Sequence, residues 1–95
     1  AAPETFTLSQ NYPNPFNPGT SIQFGLPRAS AVMLAIYNLR GQMVRMLINR
    51  EFPAGNHEIR WDGKNDKGQT VASGMYMYKI HAANFVARKK LLLTR

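Results

Sequence analysis

The sequence predicts an all-β, antiparallel sandwich of about seven short strands. Three observations carry that expectation. Apolar and polar residues alternate with period two in run after run, while the spacing of an amphipathic helix is almost absent. Turn-forming residues separate the runs at intervals of ~8–12 residues. The 95 residues, 44% hydrophobic and 18% charged, suit one domain rather than two and exclude a disordered chain.

Taken in order, a first edge strand is expected near Phe6–Gln10. Thr20–Leu26 places Ile22, Phe24 and Leu26 on one face. Ala31–Asn38 does the same with Val32, Leu34 and Ile36. Gln42–Arg50 alternates imperfectly at Met43, Val44, Met46 and Leu47, which a bulge after Gly41 would explain. Asn56–Trp61 sets His57, Ile59 and Trp61 against Glu58 and Arg60. Gly74–His81 points Tyr76, Tyr78 and Ile80 inward, and Phe85–Thr94 closes the chain. Of its two phases, Phe85, Ala87, Leu91 and Leu93 inward buries more apolar surface and leaves Lys89 to snorkel. The stretches Asn38–Gly41, Pro53–Asn56 and Asp62–Gly68 carry turn chemistry consistent with hairpins, and Pro27–Ser30 separates two further runs. Seven such strands in about 100 residues are the dimensions of an immunoglobulin-like sandwich. The chain lacks the cysteine pair of antibody domains.

Asn11–Pro18 is the most unusual stretch. Pro13, Pro15 and Pro18 remove amide donors and exclude a central strand. They push Tyr12, Asn14 and Asn17 into extended geometry, so a stiff, polyproline-like arm is expected, pinned to the sandwich by Tyr12 and Phe16. The same arm is a candidate for recognition by another protein. Ala1–Thr5 reads as the end of a linker from a preceding domain, and residues 6–95 as a single domain.

Zero cysteines exclude disulfides and thiolate metal sites. A net charge of +7 and a pI near 10.3 favour an anionic partner. No apolar run approaches the ~20 residues of a helical membrane span, and Ala1–Gln10 has no signal-peptide pattern. An export signal, if one is used, belongs to a part of the protein outside this chain.

No constellation suggests catalysis, a cofactor or a metal. Glu4, Glu51, Glu58, Asp62 and Asp66 are scattered, and His57 and His81 fall on separate strands. A calcium loop over Asp62–Gly68 would place Lys64 and Lys67 where ligands and glycine belong. Asp62 and Asp66 are expected instead to cap turns through their own loop's amides. Trp61, Tyr76 and Tyr78 lie on inward faces, which argues for core packing over a sugar-binding platform. Arg88-Lys89-Lys90, without an aromatic-lined strand face, is a weak nucleic-acid signal.

The opening Leu8-Ser9-Gln10-Asn11-Tyr12-Pro13-Asn14-Pro15-Phe16-Asn17-Pro18 also matches a known signature. Thr20, Ile22, Leu26-Pro27, Ile36-Tyr37-Asn38, Gly41-Gln42-Met43-Val44, Ala54-Gly55, His57 and Trp61 continue it. Ser73-Gly74-Met75-Tyr76 and Lys89-Lys90-Leu91-Leu92-Leu93 complete it. The chain thus resembles, from Leu8 to Arg95, the type A C-terminal sorting domain of the type IX secretion system. Trp61-Asp62-Gly63 through Gly74-Met75-Tyr76 also resembles the immunoglobulin-like domain of the flagellar hook-capping protein.

The first resemblance implies a non-catalytic domain, without cofactor, that directs a larger cargo across the bacterial outer membrane to the surface or medium by way of the periplasm. It implies an outer-membrane translocon as partner, a sortase-like peptidase cutting at or before Ala1–Thr5, and attachment to anionic lipopolysaccharide. Candidate recognition residues are Gly74, Tyr76 and Lys89 to Leu93, beside the arm Tyr12 to Pro18. Two rivals are a carbohydrate- or surface-binding module of a secreted hydrolase and a flagellar-cap-like assembly domain.

Overall fold

The structure is a computed structural model that describes residues 2–94. The linker expected over Ala1–Thr5 and a domain end at Arg95 therefore fall partly outside the described residues. Seven strands follow one another: β1 (Thr7–Leu8), β2 (Thr20–Leu26), β3 (Ser30–Asn38), β4 (Met43–Phe52), β5 (Gly55–Trp61), β6 (Gly74–Ala82) and β7 (Phe85–Leu93). They form two antiparallel sheets, β1-β2-β5 and β4-β3-β6-β7, with no helix among the described residues. The immunoglobulin-like sandwich is the architecture the alternation predicts.

The inward rows from both sheets meet between them. Ile22, Phe24 and Leu26 of β2 face Leu34 and Ile36 of β3, Tyr78 and Ile80 of β6, and Leu91 and Leu93 of β7, with Trp61 at one end. Each is essentially inaccessible to solvent, and burying such a side chain stabilises by ~1.5–3 kcal/mol. The polar tips of the large aromatics are satisfied. The Trp61 indole donates to the Lys64 carbonyl at 2.9 Å, and the Tyr76 hydroxyl to that of Ala72 at 2.6 Å. β7 adopts the phase with Leu91 and Leu93 inward, Val86 exposed and Lys89 half-buried.

The turns differ from expectation in one respect. Of the turns expected from the sequence, Asn38–Gly41 alone, with Gly41 at φ 83°, joins two paired strands as a hairpin. Gly41 suits that place because an L-residue there costs ~1–2 kcal/mol. Pro53–Asn56 and Asp62–Gly68, read as hairpin-like turns, instead carry the chain from one sheet to the other, as does Pro27–Ser30. The second true hairpin, β6–β7, turns at Ala83 (φ 53°) and Asn84, without glycine or proline. The irregular pattern of β4 has two sources: the register against β3 shifts between Leu34 and Ala35 and again between Ile36 and Tyr37. Leu47 and Val44 are the extra residues, so a pair of bulges replaces the single one expected after Gly41.

Candidate functional site

The proline-rich segment and the last strand close on each other. β7 is an edge strand, and its alternate residues turn their backbone groups outward, where they need partners. The Phe16 amide donates to the Leu92 carbonyl at 3.0 Å, and the Thr94 amide to the Phe16 carbonyl at 3.0 Å. The Leu92 amide donates to Asn14 Oδ1 at 3.0 Å, and Gln10 Nε2 to the Lys90 carbonyl at 2.7 Å. The segment also pairs with the other sheet: Tyr12 and Ser21 exchange two backbone bonds of 2.9 Å. It is thus a clasp across the open side of the sandwich.

That arrangement corrects two expectations. The peptide bonds before Pro13, Pro15 and Pro18 are cis, and the segment lies folded along both sheets by the bonds just described, rather than standing off as a polyproline-like arm. Tyr12 does not pin it, being 81% exposed. Phe16 does, at 1% exposure, its ring 5.5 Å from that of Trp61, which in turn meets Tyr76 edge-on at 5.7 Å.

Asn11 and Thr20 do pinning that the sequence reading missed. Both are buried; Asn11 Nδ2 donates to Thr20 Oγ1 at 3.0 Å, and Thr20 Oγ1 donates to the Pro13 carbonyl at 2.8 Å. Thr20 shares the inward parity of Ile22, a signal that was available; Asn11 offers none. Beneath the segment the Tyr78 hydroxyl donates to the Ser9 carbonyl at 2.6 Å. Burial pushes the Tyr78 phenol up to about 12, with the backbone of Asn11 pulling slightly the other way.

The candidate residues therefore come together. Gly74 pairs with Leu93 and Tyr76 with Leu91 in the β6–β7 register. Tyr12, Pro13, Asn14, Pro15, Asn17, Pro18 and Lys90 are exposed along the clasp. Leu91 and Leu93 belong to the core, and Leu92 and Lys89 are half-buried. Beside Tyr12 an open depression of about 470 Å³ is bordered by Gln10, Pro13, Gln23, Glu58 and Arg60. His57 on β5 and His81 on β6 belong to different sheets.

The loop that follows Trp61 is structural in its bonding. Asp62 Oδ1 accepts from its own loop's Lys64 amide at 3.1 Å. Asp66 departs from expectation: its Oδ1 accepts the Met46 amide of β4 at 3.0 Å. Arg45 ties the loop to β4, 3.2 Å from Asp62 and 4.0 Å from Asp66.

Residues 10–85 match the FlgD Ig-like domain family, and the chain belongs to that family. It is 41% identical over 56 residues to the basal-body rod modification proteins FlgD of Salmonella typhimurium and Salmonella typhi. That stretch is 59% of this chain, and the match spans about a quarter of the relatives' length, 24%. Among solved structures, 95% of the chain superposes on 9% of latent PorU from Porphyromonas gingivalis, with TM-score 0.74 and 17% identity. FlgD of Pseudomonas aeruginosa gives 0.62 and 23%, covering 78% of this chain and 58% of that one. PorZ of P. gingivalis, described as a surface component of the type IX secretion system, gives 0.61 and 17% over 97% of this chain and 12% of that one. At these identities the likeness is one of fold.

Proposed function

We propose that this domain is a non-catalytic sorting module that directs a larger secreted cargo across the bacterial outer membrane to the surface or medium. The observation that carries the reading is the clasp. The two segments that resemble the sorting signature, Tyr12–Pro18 and Lys89–Leu93, lie 71 residues apart at their nearest ends (18 to 89), yet they are hydrogen-bonded into one surface. A translocon can read such a composite only on a folded domain, so folding itself becomes the credential. The fold shared with PorZ, a surface component of the type IX system, supports the same reading. The partners are then the translocon and, for anchored cargo, a sortase-like peptidase and anionic lipopolysaccharide. The reading calls for no cofactor or metal.

The test uses exposed residues, because deleting Leu91–Arg95 would remove two core leucines and unfold the domain. The chain, fused to a periplasmic reporter in a host with the secretion system, carries Tyr12→Ala and Lys90→Ala, both exposed. The reporter should accumulate in the periplasm while the isolated variant melts at the parental temperature. Export at the parental rate would sink the reading. Assembly in a flagellar-type cap is the second reading, favoured by the 41% identity to FlgD. It requires concentration-dependent self-association in sedimentation, which the sorting reading does not.

A further inference from the structure

The outer face of the four-stranded sheet differs from the rest of the surface. Strand alternation turns Met33 and Tyr37 of β3, Met75 and Met77 of β6, and Leu92 of β7 outward. The bulges of β4 bring Met43 opposite Tyr37 and Met46 opposite Ala35, on the same side. All five methionines of the chain therefore stand on one face of one sheet. Met33, Met43 and Met75 are 40%, 47% and 39% exposed. Ala35, at the centre of that face, is only 1% exposed, so the longer side chains around it lie across the sheet.

Cations are set into this apolar ground. Lys79 is in register with Arg88, and Lys90 with Met77; none of the three has an ion-pair partner among the described residues. The carboxylate on this face, Glu51, sits at its end opposite Ala31. The three-stranded sheet is the contrast. Its outward rows are Ser21 beside Arg60 and Gln23 beside Glu58, polar and balanced in charge. One fold in one solvent has a polar wall and a methionine-rich basic wall.

Scattered apolar residues on a surface need no explanation, but a contiguous patch marks an interaction site. Methionine suits such a patch because its unbranched, polarizable side chain moulds to a partner. We infer that this face docks an acidic, apolar segment of a partner protein, presenting leucine- or phenylalanine-like side chains flanked by carboxylates. The apolar centre requires an apolar counterpart, and the unpaired cations select for anions and repel a second copy of the same face. Three cations fall short of the clusters of ~4–8 that read anionic lipid. One aromatic, Tyr37, is no stacking row for nucleic acid. The inference does not rest on the sorting reading: the face shares only its β7 edge, Lys90 and Leu92, with the clasp, and its test uses Lys79 and Arg88, which the sorting reading does not invoke.

The methionines are their own reporters. The domain carrying methyl-labelled methionine is titrated with a synthetic peptide alternating leucine and glutamate, with its leucine–lysine counterpart, and with phosphatidylglycerol vesicles. The acidic peptide should shift the methyl signals saturably, and the basic peptide should not. Lys79→Glu with Arg88→Glu should abolish the shifts, Lys79→Gln with Arg88→Gln should weaken them, and Glu58→Gln on the opposite wall should leave them unchanged. The glutamine pair keeps the test valid should charge reversal impair folding. Absence of shifts with the acidic peptide, equal shifts with both peptides, saturable binding to vesicles alone, or a dimer in sedimentation would each overturn the inference.

Discussion

Trp61 ends β5 at the point where the two sheets, the clasp and the following loop meet, its ring against Phe16 and Tyr76 and its indole bonded to Lys64. Trp61→Ala should destabilise the domain by about 3–5 kcal/mol, measured by denaturant unfolding. A variant with an unchanged midpoint would contradict this packing. Tyr78 adds a pH dependence with a definite sign. Its phenol is about 10 when unfolded and about 12 when folded, so the folded state keeps a proton that the unfolded state releases. The resulting stability, about 2–3 kcal/mol, is complete below pH ~10 and lost as pH rises toward ~12. Tyr78→Phe should flatten unfolding stability across that window. The inward positions of both residues were legible from period-two alternation alone. Tyr12 was not, because alternation does not extend into a proline-rich segment, where docking rather than strand geometry decides which ring is covered. Asp66 was misjudged for a related reason: a turn residue can satisfy its own loop or a neighbouring strand, and local sequence does not distinguish them.

At the scale of elements, the strand positions and the phase of β7 were readable because each buries one face and a slip by one residue would expose it. What joins them was less readable. Turn chemistry says where a chain reverses, not whether the next strand pairs with the last or crosses to the other sheet, so Pro53–Asn56 looked like a hairpin. The β6–β7 turn, built on Ala83 and Asn84, offers one turn-forming residue and neither glycine nor proline, too little to mark it against a continuing strand. The clasp was visible only as two suspicious segments, since the bonds joining them link residues as far apart in sequence as Gln10 and Lys90. Its hydrogen bonds can be tested singly. Asn14→Ala removes the acceptor of the Leu92 amide, and it should cost ~0.5–1.5 kcal/mol. Amide hydrogen exchange should accelerate at Leu92 while Ile80, between β3 and β7 in the sheet interior, stays protected. Equal acceleration at both would mean that the clasp is part of the global fold rather than a separable closure.

For the molecule as a whole, the sorting reading asks for contact with other macromolecules at the surface. The net charge is +7, and the interior is given to a single continuous cluster of apolar and aromatic side chains. A sandwich filled in this way has no room between its sheets for a small ligand. The rival sugar-binding and calcium readings therefore have to use the surface, and they have a thermodynamic consequence that the sorting reading lacks. A ligand binding only the folded state at 100-fold over its Kd adds ~2.7 kcal/mol to stability. In a domain of this size each kcal/mol moves Tm by ~4–8 °C, so specific binding should raise it by on the order of 10 °C. Calcium and a panel of soluble polysaccharides should instead leave Tm unchanged in a thermal scan. A saturable rise with any of them would make the domain a binding module, because a ligand raises stability only by binding the folded state in preference to the unfolded chain.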